Sequence, residues 1–347
     1  MTSIEWTRGD DGSEGKTWNP TRGCSRVSPG CDNCYAMRVA HRFSGPGKPY
    51  DGLTRIGKRG VDWSGRVRLV PEMLDVPLRW RKPRRVFVNS MSDLFHESLS
   101  NEEIAAVFGV MAACPQHTFQ VLTKRAKRMR EWFETAGTQT LSWLWQSAVN
   151  ACDGHAQRES MTDRLRTGTT WPLPNVWIGV SAENQATADE RIPHLLATPA
   201  AVRFVSCEPL IGPVDLTRIV ESFHPGPPPS SVEFDGLRGF CGATPAEDTP
   251  AVRGLQWVIV GGESGPGARP YDLAWPRDII RQCRESGVAV FHKQVGAQPV
   301  DHEPGTDPEP LRSAILRAGR LVRLADRKGG DPSEWPEDLR VREFPAT

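Results

Sequence analysis

Apolar residues recur along the chain in one repeating order. A short continuous apolar run is followed by a few polar residues, then by a stretch with apolar positions every three or four residues. The runs are Arg85-Val-Phe-Val-Asn-Ser90, Thr118-Phe-Gln-Val-Leu122, Val176-Trp-Ile-Gly-Val180, Val202-Arg-Phe-Val-Ser206, Trp257-Val-Ile-Val260 and Val288-Ala-Val-Phe291. Such runs are the signature of strands buried on both faces of a parallel sheet. The stretches between them read as helices. Ser100-Asn-Glu-Glu103 is a capping box opening a helix that carries Ile104, Val107, Phe108 and Met111 inward. Residues 123–130, 183–197 and 275–285 supply others, the last stopped by Ser286-Gly287. Ala36, Val39, Ala40 and Phe43, at i, i+3, i+4 and i+7, predict one more that packs this face inward.

Strand–helix alternation of this kind predicts an α/β fold with a parallel sheet covered by helices. A first strand near residue 24 brings the total to six or seven. A partial or closed (β/α) barrel and an open doubly wound sheet both satisfy the pattern. The barrel is favoured because no strand runs into a G-x-G-x-x-G loop; Gly261-Gly-Glu-Ser-Gly265 lacks that spacing. The barrel is expected over residues 1–300, with a helical insertion at 134–174 and a Pro-rich loop insertion at 221–254. Residues 301–347 are expected to pack on it as an extension.

Composition narrows the class. At 347 residues, 38% hydrophobic and 24% charged, the chain suits a globular protein with a sizeable core. Nothing approaches the roughly 20 apolar residues of a membrane span. Met1-Thr-Ser-Ile-Glu-Trp6 has no charged-then-apolar leader pattern. Eight cysteines, three clustered and five scattered, do not form a disulfide framework, so a reducing, cytoplasmic setting without membrane contact is expected. Net charge is only +1, yet residues 1–130 hold 22 Lys+Arg against 13 Asp+Glu, leaving 21 against 29 for the remainder. The basic first part predicts an anionic partner, nucleic acid or a nucleotide, unless these are simply solvated faces.

The clustered thiols are Cys24, Cys31 and Cys34, spaced C-x6-C-x2-C in a loop shaped by Gly23, Pro29 and Gly30. Three thiols cannot all pair as disulfides, and thiolates select zinc, copper(I) or iron–sulfur clusters. A structural zinc site takes four ligands, usually from two C-x-x-C knuckles. Here one knuckle is present, so zinc needs a fourth ligand, for which His41 is the nearest candidate. A cubic iron–sulfur cluster on three cysteines instead leaves one iron open. Cys114, Cys152, Cys241 and Cys283 have no ligand spacing and read as structural.

In (β/α) barrels the reactive groups stand at the C-terminal ends of the strands. Here those ends carry Asn89, Ser90 and Asp93; Thr123, Lys124 and Arg125; Ser181, Glu183 and Asn184; Cys207 and Glu208; Glu263 and Ser264; and His292, Lys293 and Gln294. Lys124 and Arg125 are placed to grip a carboxylate or phosphate, or to stand solvated. Glu183, Glu208 and Glu263 suit an amine, ribose hydroxyls or acid–base work, or ion pairs with Lys124, Arg203 or Lys293. Cys207 is a candidate hydrogen-atom donor, or inert packing.

The loop Cys24…Cys31-Asp-Asn-Cys34-Tyr-Ala, preceded by Trp18-Asn-Pro, resembles the phage-associated three-cysteine-motif proteins. So do Asn89-Ser-Met-Ser-Asp93, Leu122-Thr-Lys-Arg125, Ile178-Gly-Val-Ser-Ala-Glu-Asn184, Cys207-Glu-Pro-Leu-Ile-Gly-Pro213, Gly261-Gly-Glu-Ser-Gly-Pro-Gly-Ala-Arg269, His292-Lys-Gln294 and Lys328-Gly-Gly-Asp-Pro-Ser-Glu-Trp-Pro336. That family is similar to an outlying branch of the radical S-adenosylmethionine enzymes. The resemblance implies a radical-enzyme-like partial barrel, a [4Fe-4S] cluster on Cys24, Cys31 and Cys34, and S-adenosylmethionine cleaved reductively to a 5′-deoxyadenosyl radical. It implies cofactor contacts from Asn89, Ser90, Ser181 and Glu183; Tyr35 and Glu263 are further cofactor-binding candidates. Gly261-Gly-Glu263 lies late in the barrel, whereas the amine-binding Gly-Gly-Glu of those enzymes follows the second strand, so that role is not transferred to it. Cys207, Lys124 and Glu208 become catalytic candidates, and Arg125, Lys293 and Gln294 substrate-binding ones. Expected partners are a nucleobase or nucleic-acid substrate for modification or repair, an electron donor and a phage-encoded protein. The alternative is a non-catalytic protein, stabilised by zinc or by an iron–sulfur cluster, that binds nucleic acid or another protein. Two features depart from the radical enzymes: their first gap is three residues rather than six, and an aromatic precedes their third cysteine, where this chain has Asn33 and then Tyr35 after the thiol.

Overall fold

A computed structural model of the chain describes residues 4–9, 12–58, 60–138, 141–152, 170–224, 230–239, 254–301 and 320–346. Seven strands form one sheet: β1 Lys16–Trp18, β2 Arg85–Val88, β3 Thr118–Thr123, β4 Val176–Ser181, β5 Val202–Cys207, β6 Trp257–Gly261 and β7 Ala289–Gln294. Their spatial order is their chain order, β1 to β7. The ladders β1–β2, β2–β3, β5–β6 and β6–β7 are parallel. A doubly wound sheet reverses its strand order at a switch point. This sheet never reverses, so it winds one way only, as a barrel does. It also stays open: β1 and β7 are its two edges, with no pairing between them among the described residues. The α/β partial-barrel expectation is met as a parallel half-barrel, and the closed form is not. Every residue of β2, β4 and β6 is buried, which is why these strands lack polar alternation.

The chain divides within β4 into two compact units. One comprises Met1–Val27, Cys34–Gly179 and Thr198–Ala201, and the other Ser28–Asn33, Val180–Ala197 and Val202–Thr347. In the first unit, helix α1 (Tyr35–Arg42) packs Ala36, Met37 and Ala40 with Trp63 and Met91, and Cys24 and Cys34 lean on the same cluster; Val39 and Phe43, expected on that inward face, are exposed instead. Helix α2 (Asn101–Ala112) starts at the expected capping box: Ser100 Oγ accepts from the Glu103 amide at 3.2 Å, and Glu103 accepts from the Ser100 amide at 2.8 Å. Helix α3 (Ala126–Thr138) is the helix expected after β3, and α4 (Leu141–Ala151) lies within the 134–174 stretch, of which residues 139–140 and 153–169 lie outside the described residues. An aromatic cluster anchors it, with Phe108 and Trp132 centroids 4.4 Å apart and Phe133 and Trp171 centroids 5.4 Å apart.

In the second unit, helix α5 (Gln185–Leu196) begins at a second capping box, Asn184 with Thr187. Helix α6 (Ala274–Ser286) ends at Gly287, whose φ of 67° is the left-handed stop the sequence predicts. Of the 221–254 insertion, the described part is an antiparallel hairpin, Ile219–His224 with Ser230–Phe234. Its Pro-rich tip and Cys241 lie outside the described residues, as do 302–319 of the tail. The end of the chain packs on β6 and β7. The His292 amide donates to the Val341 carbonyl at 2.8 Å, and the Trp257 indole to Glu343 at 2.9 Å. Among the described residues no helix is long and apolar enough to cross a membrane.

Candidate functional site

The first unit holds Cys24 and Cys34 beside the ends of β1, β2 and β3. Asn89 follows β2 and takes a φ of 62°, the left-handed region that asparagine tolerates best among residues with a side chain. Its amide donates to the Trp18 carbonyl at 2.8 Å, which turns the chain at the strand end. Its Oδ1 accepts weakly from the Thr21 amide at 3.4 Å, while Nδ2 is buried without a hydrogen-bond partner. Next to it, Asn19 Oδ1 accepts from Ser90 Oγ and the Met91 amide, and Tyr35 donates its hydroxyl to the Ser90 carbonyl at 2.7 Å. Ser90 and Tyr35 thus tie the β2 end to the start of α1.

Arg125, after β3, organises the Cys24 arm. Its side chain is 3% exposed and its guanidinium forks to three sides. Nη1 meets Asp93 at 3.1 Å, and Nε meets Glu97 at 2.9–3.0 Å. Nη2 donates to Ser25 Oγ at 2.7 Å and to the Ser25 carbonyl at 3.3 Å, and Nη1 lies 3.9 Å from the Cys24 sulfur. Asp93 also accepts from Thr123 Oγ1 and from the Lys124 amide, so the β3 end is bound to the β2 loop. His96 completes the arm. Its Nδ1 accepts from the Ser98 amide, so in the neutral ring Nε2 carries the proton and donates to Ser25 Oγ at 2.9 Å. Burial, and then the Arg125 charge, push this histidine below its ordinary range and keep it neutral.

The second unit holds the Cys31 arm, Ser28–Asn33, by two strand-end carboxylates. Glu183, fully buried after β4, accepts from Ser28 Oγ at 2.8 Å and pairs with Arg191 of α5 at 3.0 Å. Glu263, after β6, is gripped by Arg269 through both oxygens and accepts from Asn33 Nδ2 at 2.9 Å. Arg269 also donates to the Pro29 carbonyl at 3.0 Å. Burial pushes the Glu263 carboxyl up, but the Arg269 and Asn33 hydrogen bonds more than offset it, leaving it below the usual carboxylate range. Gly30 lies so close to Glu183 that a Cβ there would strike the carboxylate. Gly30→Ala is expected to destabilise the chain by about 1–3 kcal/mol, the usual cost of overpacking. Chemical denaturation measures it; a cost within error of zero would contradict the clasp.

The remaining strand ends are occupied by packing and pairing. Glu208 pairs with Lys293 at 3.2 Å, one of the ion pairs the sequence allowed. Gln294 donates to the Gly262 carbonyl at 2.7 Å. Gly261 abuts the Glu208 carboxylate and Gly262 the Val295 backbone, so this glycine pair serves close approach within the sheet. Ser181 is buried, with its carbonyl accepting from Arg191 at 2.8 Å. Cys207 is fully buried, and burial pushes its thiol far up, so it stays S–H.

The profile of a family described as "Protein of unknown function (DUF5131)" matches residues 1–330. The chain belongs to the DUF5131 family. No curated protein and no solved structure matches it. The DUF5131 match takes in the cysteine loop, every strand end described above and the start of the tail.

A thiolate-held metal centre can be tested against these residues. Cys24, Cys31 and Cys34 are half-buried and unoxidised, while Cys114, Cys152, Cys207 and Cys283 are buried. The loop thiols are therefore, among the described cysteines, the ones within reach of a metal, and Asn89 Nδ2 offers a buried donor to an acceptor group. The donor set fits a soft metal. No three His, Cys, Asp or Glu side chains gather as a metal-holding group among the described residues. The fit therefore rests on donor chemistry and not on a pre-assembled cage.

Proposed function

We propose that this chain is an iron–sulfur protein of radical S-adenosylmethionine type acting on a nucleobase or nucleic-acid substrate, with Cys24, Cys31 and Cys34 as the cluster ligands. One observation carries the reading: the three half-buried thiols sit in the loop after the first strand of a one-way parallel sheet, and strand-end side chains fasten that loop. A cluster held there would supply the electron for reductive cleavage of S-adenosylmethionine. The chain's own residues do the positioning. Arg125 and His96 fix the Cys24 arm, Glu183 and Glu263 fix the Cys31 arm, and Asn89 presents an amide donor at the β2 end. The excess of cations in residues 1–130 supports an anionic substrate.

Anaerobic reconstitution with iron and sulfide, then incubation with reductant and S-adenosylmethionine, tests the reading. The expected result is a brown protein that releases 5′-deoxyadenosine, with both properties lost in Cys31→Ala. A loaded cluster that yields no 5′-deoxyadenosine overturns the radical chemistry. A colourless, zinc-loaded protein that loses its metal in His41→Ala overturns the cluster as well and leaves a zinc-stabilised binding protein.

A further inference from the structure

We propose that the outer face of α1, together with the hairpin Thr54–Gly57/Gly60–Trp63, is a platform for single-stranded nucleic acid. This rests on the nucleic-acid part of the reading above and locates it. Helix α1 turns Ala36, Met37 and Ala40 inward and leaves Tyr35, Val39 and Phe43 exposed at 53%, 39% and 48%. Those three recur every four residues, so they form one stripe along the helix. The hairpin adjoins the helix, with His41 Nδ1 3.1 Å from Thr54 Oγ1, and its Ile56 is 77% exposed.

The segment that carries the stripe is cationic. Residues 34–68 contain eight Lys+Arg and two Asp+Glu. One of the two acids, Asp62, is held by Arg26 at 2.8 Å. Arg42, Lys48, Arg55 and Lys58 are exposed. Exposed rings and aliphatic side chains in a segment rich in exposed cations complement a flexible polyanion with bare aromatic faces. Unpaired bases stack on such side chains while the phosphates meet the cations. A duplex offers the phosphates but keeps its base faces stacked away. The Tyr35 hydroxyl bond to the Ser90 carbonyl, at 2.7 Å, holds that ring in place and leaves it half exposed, so little ordering remains for binding.

The test is fluorescence anisotropy of the full chain with a labelled oligothymidylate and with a duplex of the same length, at low and near-physiological salt. The single strand should bind more tightly than the duplex. Phe43→Ala should weaken it about tenfold with the salt slope unchanged, since a stacking contact carries no charge. Arg42→Glu and Lys58→Glu should weaken it and lower the salt slope by about one or more each, while Arg320→Glu, on the tail, should change neither. Binding by the wild type that none of the α1 and hairpin variants alters would overturn the platform and leave the nucleic-acid substrate standing. No binding at all would overturn both, without touching the cluster, which is read by its spectrum. A dimer in sedimentation that Phe43→Ala dissolves, with no oligonucleotide bound, would make the stripe a contact between two copies of this chain and overturn the proposal.

Discussion

Arg125→Ala should cost about 3–5 kcal/mol of stability, the penalty of removing one partner from a buried ion pair. Asp93 would remain buried with the Thr123 hydroxyl and the Lys124 and Phe95 amides as its donors, and with no cation on its Arg125 side. Arg125→Lys should recover only part of the loss. A single ammonium cannot meet Asp93, Glu97 and Ser25 at once, as the guanidinium fork does. Glu97→Gln provides the contrast. The Glu97 side chain is 63% exposed, so its arm of the network is screened and should be worth about 0–1 kcal/mol. Denaturant unfolding of the three variants measures these differences, and an Arg125→Ala loss no larger than that of Glu97→Gln would refute the network's buried character. Because Arg125 also holds Ser25 and faces the Cys24 sulfur, Arg125→Ala should load metal less completely than Glu97→Gln does under identical reconstitution.

How far this architecture was legible in the sequence depends on which residues are asked about. The strands were legible because β2 to β7 are buried on both faces, and burial leaves a continuous apolar run. The α2 cap was legible because a capping box is local: Ser100 and Glu103 satisfy each other's backbone within four residues. Strand order was not, since an apolar run carries no record of its neighbours; only the unbroken order of the sheet separates the half-barrel from the doubly wound alternative. The ion pairs were hardest. Spacing suggested Lys124, Arg203 or Lys293 as partners for the strand-end acids, and Lys293 does meet Glu208. Glu183 and Glu263 instead take Arg191, two helical turns along α5, and Arg269, at the end of the loop after β6. These choices are made by side-chain reach in three dimensions.

The same gap between pattern and packing explains why the cysteine arms' supports were missed. Ser25, Ser28, Asn33 and His96 sit in loops without periodicity, and their partners lie far off in sequence. Ser28 bonds Glu183, and Asn33 bonds Glu263. One signal was available. Two acids directly after apolar strands, in a chain with a glycine-bearing cysteine loop, need cations or donors near at hand. Arg269 stands in the same Gly-rich block as Glu263, six residues on. Asn89 offered a second signal. An asparagine closing an apolar strand is the residue type most at home at positive φ, and its φ is 62°.

Acid should weaken the second unit through His292, at the C-terminal half of β7. The ring is fully buried, 4.8 Å from the Trp335 ring centroid and stacked at 6.1 Å on Tyr271. Nδ1 lies 2.8 Å from the Leu339 carbonyl, which can only accept, so Nδ1 carries the proton. In the neutral ring Nε2 is then the acceptor, and the Tyr271 hydroxyl donates to it at 3.2 Å. Charging the ring would place a cation out of water beside Arg342, with the Asp338 carboxylate as a weak counter-charge. Burial, only partly offset by the Leu339 hydrogen bond and aided by Arg342, lowers this histidine to about 4.

An unfolded histidine titrates near 6.5. Between that value and about 4 the unfolded chain therefore binds a proton that the folded chain refuses. Stability contributed by the neutral ring is thus whole above pH ~6.5 and declines as the pH falls through the window. The slope is about 1.4 kcal/mol per pH unit, which sums to about 3 kcal/mol by the lower end. His292→Gln keeps a polar group for the Leu339 carbonyl and removes the titration. Its unfolding free energy should fall short of the wild type's at pH 7, and the difference should shrink by about 3 kcal/mol on going to pH 4. Other acid-sensitive groups act alike in both proteins and cancel in that difference. A difference that stays constant from pH 7 to pH 4 would mean that His292 takes its proton as easily folded as unfolded. The tail from Trp335 to Arg342 would then not be sealing β7 from water.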